Sequence, residues 1–238
     1  MSLHRGQGLF EQAADKIRRY NQLCLHYNLV ADAVYQKLHS LGSPFSPSYE
    51  AYLIAALTSF EMERMMGKGA EQRYDASVAG FAARLHSKLL QIRPHLEAGV
   101  KLSLAELKVE QHAPAIAAAY RALAAGGEAG LNSKGNRFHV GATKILHFLN
   151  PESFAIIDAN TAKTHRRVCG VPYIDTTLPG YSSSLYIRSL SAIKDLIATY
   201  GLDRFRSLEH GTPTLRIFDK IAFAHASFAP WGKKGPAG

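Results

Sequence analysis

Apolar residues recur at a spacing of three and four along most of the chain, the signature of helices that bury one face. Between residues 10 and 41, Ala14, Ile17, Leu25, Leu29, Val34 and Leu38 mark one long helix or two stacked ones, since no proline interrupts the run. Gly42 to Pro47 is a break. Ser48 is expected to cap a helix carrying Tyr52, Leu53, Ala56, Leu57, Phe60 and Met65. Asp75 is expected to cap another, running through Phe81, Leu85, Leu89 and Ile92 to a stop at Pro94. Ser103 and Glu106 form a capping-box pattern, and 113–125 is an alanine-rich helix.

Four further helices are expected: from Gly141 to Leu149, after Asp158, from Leu185 to Tyr200 with a stop at Gly201, and from Thr212-Pro213 through Leu215, Phe218, Ile221, Ala222 and Ala226. Alternating β-branched stretches bounded by hairpin turns do not occur, nor does a repeat of 20–50 residues. The pattern therefore predicts an all-α, compact multi-helix fold. It reads as one helical domain over 1–238, or as lobes 1–125 and 137–228 on either side of a flexible glycine-rich loop at 126–136, with a loose tail at 229–238.

Composition adds a partner class. Hydrophobic residues make up 47% of the chain and charged residues 20%, enough apolar content for a real core. No apolar run is long enough to span a bilayer, and Met1 to Gly8 lacks the apolar stretch of an export signal. A cytoplasmic protein with no membrane partner is expected; oligomeric state is not legible. Cys24 and Cys169 then read as free thiols. No CxxC or HExxH spacing is present, so no metal and no cofactor are expected. The net charge of +9, with a pI of about 9.6, favours a phosphate-rich partner.

One segment carries a chemical pattern. Phe138-His-Val-Gly-Ala-Thr-Lys-Ile-Leu-His147 leads through Phe148-Leu-Asn-Pro-Glu-Ser-Phe-Ala-Ile-Ile157 to Asp158, which follows Lys144 by 14 residues. A helix of two to three turns, a reversal and an extended return can bring those two residues together. A lysine buried near a helix start is less readily charged, and only the free amine is a nucleophile. A nearby carboxylate can stabilise a cationic sugar. Over residues 131–170 six basic side chains face two acidic ones, which suits contact with a nucleic-acid backbone.

This segment resembles the core of the helix-hairpin-helix DNA glycosylase superfamily. There a glycine-bearing hairpin leads into a helix with a nucleophilic lysine, and a proline-containing loop leads to an aspartate that opens the next helix. The resemblance implies a base-excision enzyme, a glycosylase with abasic-site lyase activity. Lys144 would be the nucleophile and Asp158 the carboxylate. Gly141 and Thr143 would lie at the phosphate-binding hairpin, and Lys134, Arg137, Lys163, Arg166 and Arg167 would face DNA. Phe148 and Phe154 would wall a pocket for a flipped base. The sequence departs from the family pattern at His139, where proline is usual, and at Ala142, where a second glycine is usual. The lysine-to-aspartate spacing is also shorter.

Other readings stand beside this one. Asp158 can be an N-cap and nothing more. Lys144 can be a solvated lysine on an amphipathic helix, and Phe148 and Phe154 can be core aromatics. The chain can also be a DNA-binding protein without catalysis, or a helical protein of unrelated function. A buried Lys144 amine beside Asp158 in a cleft separates the enzyme from the non-catalytic DNA-binding protein, and a basic groove separates both from a helical protein of unrelated function.

Overall fold

The computed structural model describes residues 8–57, 59, 74–97, 102–128, 130–132, 137–166 and 182–228. Every regular element among them is helical. In chain order they are α1 (Ala13–Leu23), α2 (Leu25–Leu41), α3 (Pro47–Leu57), α4 (Tyr74–Leu96), α5 (Val109–Ala124), α6 (His139–Leu149), α7 (Ala159–Thr164), α8 (Ser183–Tyr200), α9 (Leu202–Arg206) and α10 (Thr214–Ser227). Among the described residues no helix is long and apolar enough to cross a membrane.

Local chemistry explains most boundaries and shifts a few. The first amphipathic run is two helices, broken at Cys24, whose φ of −121° and ψ of 34° leave helical geometry for one residue. Gly42 ends α2 in the left-handed conformation that glycine adopts at little cost. Ser46, not Ser48, caps α3: its hydroxyl accepts from Tyr49 N at 3.3 Å, and Pro47 occupies the first turn, where its missing N–H costs nothing. Helix α4 begins at Tyr74, one residue before Asp75, and continues past Pro94 to Leu96. Pro94 deprives the Leu90 carbonyl of its helical partner, and Leu90 lies on the solvent side of the helix, where that loss is least costly. The Ser103–Glu106 capping box forms, with Ser103 N donating to Glu106 Oε2 at 2.8 Å, but it encloses a single turn; the helix starts at Val109. That turn buries both Leu104 and Leu107.

Helix α6 sits at the centre. It packs against α2, α3 and α5, and its residues are buried on every side except at Val140. A helix buried all round belongs in a core, and its polar residues His139, Thr143, Lys144 and His147 are buried with the rest. Helix α10 packs on α1, α7 and α9, and α8 on α5 and α9. Buried apolar residues from Leu9 to Ala222 form one cluster, with members on both sides of residues 126–136.

Polar links set the two halves of the site in register. Asn150 and Ser153 both donate to Leu102 O, at 2.8 and 2.5 Å, and hold the turn that follows α6. Glu152 in that turn accepts from Thr214 N at 3.3 Å and from the Thr214 hydroxyl at 2.6 Å. A carboxylate thus meets the N-terminus of α10, the end that favours negative charge. The capping group of α10 comes from 62 residues away rather than from Thr212.

Candidate functional site

Lys144 is the sixth residue of α6, one turn further in than a helix-start lysine, because the helix begins at His139. It is 8% exposed, so the solvated reading does not hold. The segment Phe154–Asp158 returns alongside α6 through two hydrogen bonds. The Thr143 hydroxyl donates to Val140 O at 2.8 Å and accepts from Ile157 N at 3.1 Å. His147 Nδ1 lies 2.7 Å from Phe154 O, and its Nε2 lies 2.7 Å from the Tyr35 hydroxyl. The carbonyl requires a proton on Nδ1, so Nε2 accepts from Tyr35. Burial lowers the His147 pKa to about 3 and keeps it neutral. Residues 143 and 157 are therefore tied directly, and their neighbours 144 and 158 come to one place.

That place is a cavity of about 280 Å³ lined by Tyr20, Tyr27, Lys144, Ile156, Asp158, Asn160, Asp219 and Phe223. Tyr20, Lys144, Ile156 and Asp219 are buried, and Tyr27, Asp158, Asn160 and Phe223 are half-buried. Tyr20 and Phe223 meet edge to face, with centroids 5.5 Å apart. Asp158 caps α7: its Oδ1 accepts from Asn160 N at 2.9 Å and from Thr161 N at 2.8 Å, and the Thr161 hydroxyl accepts from Asp158 N at 2.8 Å. Every bond that the Asp158 carboxylate accepts among the described residues falls on Oδ1, and none on Oδ2. Capping leaves one carboxylate oxygen for the cavity.

Asp219 and Arg216 are absent from the sequence-based site. Arg216, 1% exposed, donates from Nη1 to Asp219 Oδ2 at 2.5 Å. From Nη2 it donates to Tyr20 Oη and Asn28 Oδ1, both at 3.1 Å. Burial raises the Asp219 pKa to about 6; Arg216 opposes that shift, Asp158 adds to it, and Lys144 opposes it. No local pattern marks these residues. In sequence they read as ordinary positions of an amphipathic helix, and only the docking of α10 on α1 and α7 brings Asp219 to the cavity, with Arg216 behind it.

The other residues expected at the site divide. Phe148 and Phe154 are fully buried in the core and do not line the cavity; the aromatic walls are Tyr20, Tyr27 and Phe223. The chain reverses between the two phenylalanines, and the buried turn at Asn150–Ser153 turns both rings to the core. Thr143 is fully buried, which makes it a clamp rather than a backbone-binding group. Gly141 is buried too: a Cβ there would lie 2.0 Å from Phe138 Cε1, so the glycine admits the Phe138 ring over the first turn of α6. Neither residue is exposed at the surface. Arg137, Lys163 and Arg166 are exposed, the last two on or just beyond the short helix that Asp158 caps. Lys134 and Arg167 lie outside the described residues, as do Cys169 and the tail. Cys24 is a buried free thiol. Among the described residues no group of three His, Cys, Asp or Glu side chains is placed to hold a metal ion.

Fold and site together define a helical protein with a desolvated lysine and two carboxylates in an aromatic-walled cavity. Comparison with protein-family models, with characterised proteins and with solved structures returns no match.

Asp158→Asn separates capping from chemistry. The amide oxygen can accept the same two backbone bonds, so stability should change by less than ~1 kcal/mol. The lost charge should lower any sugar-directed activity by ~100-fold. Melting temperature and reaction rate measured on one preparation check both halves. An unchanged rate would leave Asp158 a cap alone.

Proposed function

We propose that this protein is a DNA glycosylase-like enzyme of the base-excision type, with Lys144 as nucleophile and Asp158 as the carboxylate beside it. The observation that carries this reading is that Lys144 and Asp158 line one aromatic-walled cavity, the lysine buried and Asp158 with one carboxylate oxygen outside the capping bonds. The amine attacks the sugar C1′ as the bond from C1′ to the base breaks, and the adduct opens to a Schiff base. The cavity volume of about 280 Å³ lies near the lower end of the ~300–1,000 Å³ usual for ligand sites. Exposed Arg137, Lys163 and Arg166 supply charge for the phosphate backbone.

Two measurements test this reading. Borohydride should trap a covalent adduct between the wild-type protein and a duplex containing an abasic site. No adduct under any condition would remove the enzyme; salt-sensitive DNA binding without an adduct would leave a non-catalytic DNA-binding protein. Duplex affinity should fall steeply with salt, by a log–log slope of about −0.9 per phosphate neutralised. Reversing both Lys163 and Arg166 to glutamate should flatten that slope by about 2. Absence of binding at low salt would exclude DNA as the partner.

A further inference from the structure

Two carboxylates line the cavity with Lys144, and their bonding differs. Asp158 is half-buried and gives Oδ1 to the start of its own helix. Asp219 comes from α10 and is 5% exposed. Its Oδ2 is held by Arg216 at 2.5 Å, and among the described residues its Oδ1 accepts no hydrogen bond. Arg216 is itself fixed by Tyr20 and Asn28, so Asp219 is held by a side chain that cannot easily move. The second carboxylate is thus the more deeply placed and the more rigidly oriented.

We propose that Asp219 is the proton-transferring acid of this cavity, taking the proton that Lys144 must lose and returning it to the hydroxyl that leaves when the amine condenses with a sugar aldehyde. The proposal rests on the reading of Lys144 as a nucleophile. The step begins with a Lys144 ammonium and an Asp219 carboxylate. An N–H bond breaks and an O–H bond forms on Asp219. The amine lone pair attacks the aldehyde carbon while the carbonyl π electrons move to oxygen. A proton passes from nitrogen to that oxygen and gives a carbinolamine. Asp219 then protonates the hydroxyl, the C–O bond breaks, and water leaves as the nitrogen lone pair forms the C=N bond. The products are a protonated imine on Lys144, one water and the restored Asp219 carboxylate.

The surroundings suit the role. An acid works best when its pKa lies near the working pH, and burial places Asp219 at about 6. The groups that act on it are Arg216 from its own helix, Lys144 from α6, Asp158 at the cap of α7, Tyr20 and the adjoining Cys24 at the end of α1, and Tyr35 from α2. Loss of the Asp219 charge alone would favour the free amine of its neighbour Lys144. A purely electrostatic partner therefore predicts faster condensation in Asp219→Asn, and a proton-transferring acid predicts slower.

The test is the rate of adduct formation with an abasic-site duplex, trapped with cyanoborohydride from about pH 5 to pH 9. Wild type should give a bell-shaped profile. Asp219→Asn should lose ~100-fold at the optimum and lose one limb of the bell, and Asp219→Glu should restore that limb. An Asp219→Asn rate within ~3-fold of wild type, or faster, with both limbs kept overturns the assignment and leaves Lys144 as nucleophile. No adduct with wild type overturns both. Melting curves accompany each variant. Should Asp219→Asn fail to fold, Arg216→Met/Asp219→Asn removes both buried charges together; the same loss is expected, and a retained rate overturns the proposal.

Discussion

Lys144→Ala should abolish the borohydride-trapped adduct with abasic DNA while leaving DNA binding within a few-fold of wild type. Alanine has no amine, and no neighbouring side chain named at the cavity offers another: Tyr20, Tyr27, Ile156, Asp158, Asn160, Asp219 and Phe223 contain none. A Schiff base needs a primary amine, so the effect is complete rather than graded. On the proposed reading, binding would draw on exposed cations outside the cavity and should persist. The variant also removes a buried charge that faces two carboxylates, so its melting temperature and far-ultraviolet spectrum belong beside the trapping gel. A folded Lys144→Ala that still forms the adduct would show that the nucleophile lies elsewhere.

Arg216→Ala should cost about 3–5 kcal/mol of stability near neutral pH, because it leaves Asp219 as an uncompensated charge in a desolvated place. It also strips Tyr20 and Asn28 of their donor. The pH dependence carries a sign. Burial holds the folded pKa of Asp219 at about 6, above the ordinary value of 3.8, so the folded state binds more protons between those limits. Stability contributed by this group therefore falls as pH rises through that window. Without Arg216, which opposes the upward shift, the fall should extend to higher pH. Urea denaturation at about pH 5 and pH 8 should show the larger penalty at the higher pH. An equal penalty at both would mean that the cost comes from lost packing and not from the stranded carboxylate.

The sequence was informative wherever the physics is local. Helical periodicity, Gly42, Gly201 and the Ser103–Glu106 box all act within a turn or two, and each is visible as a pattern. The link between Lys144 and Asp158 was legible for the same reason, since a helix, a turn and a return are a local construction. Long-range features were not. The capping of α10 by Glu152 and the anchoring of Arg216 on Tyr20 join positions 62 and 196 residues apart, and the entry of Asp219 into the cavity is as remote from Tyr20. Nothing in a single sequence distinguishes Arg216 from an exposed arginine, because its burial depends on which helix docks above it. Phe148 and Phe154 misled because proximity to Lys144 in the chain says nothing about which way the following turn faces the rings. Gly141 misled because a glycine that admits a neighbouring ring and one that admits a phosphate look alike as letters.

The walls of the cavity come from α1, α2, α6, the segment leading into α7, α7 itself and α10. Its floor therefore joins the first long helix to the last, and the packing of α10 on α1 is a condition for its existence. Occupancy and folding are then linked quantities: a molecule seated there binds only the chain whose two ends have docked. Its free energy of binding adds to that of folding as RT ln(1 + [L]/Kd), about 2.7 kcal/mol at a hundredfold excess over Kd. Thermal unfolding becomes a direct assay of what the cavity accepts. A free base, a nucleoside or an abasic sugar can each be ranked by the melting temperature it confers, with no turnover required.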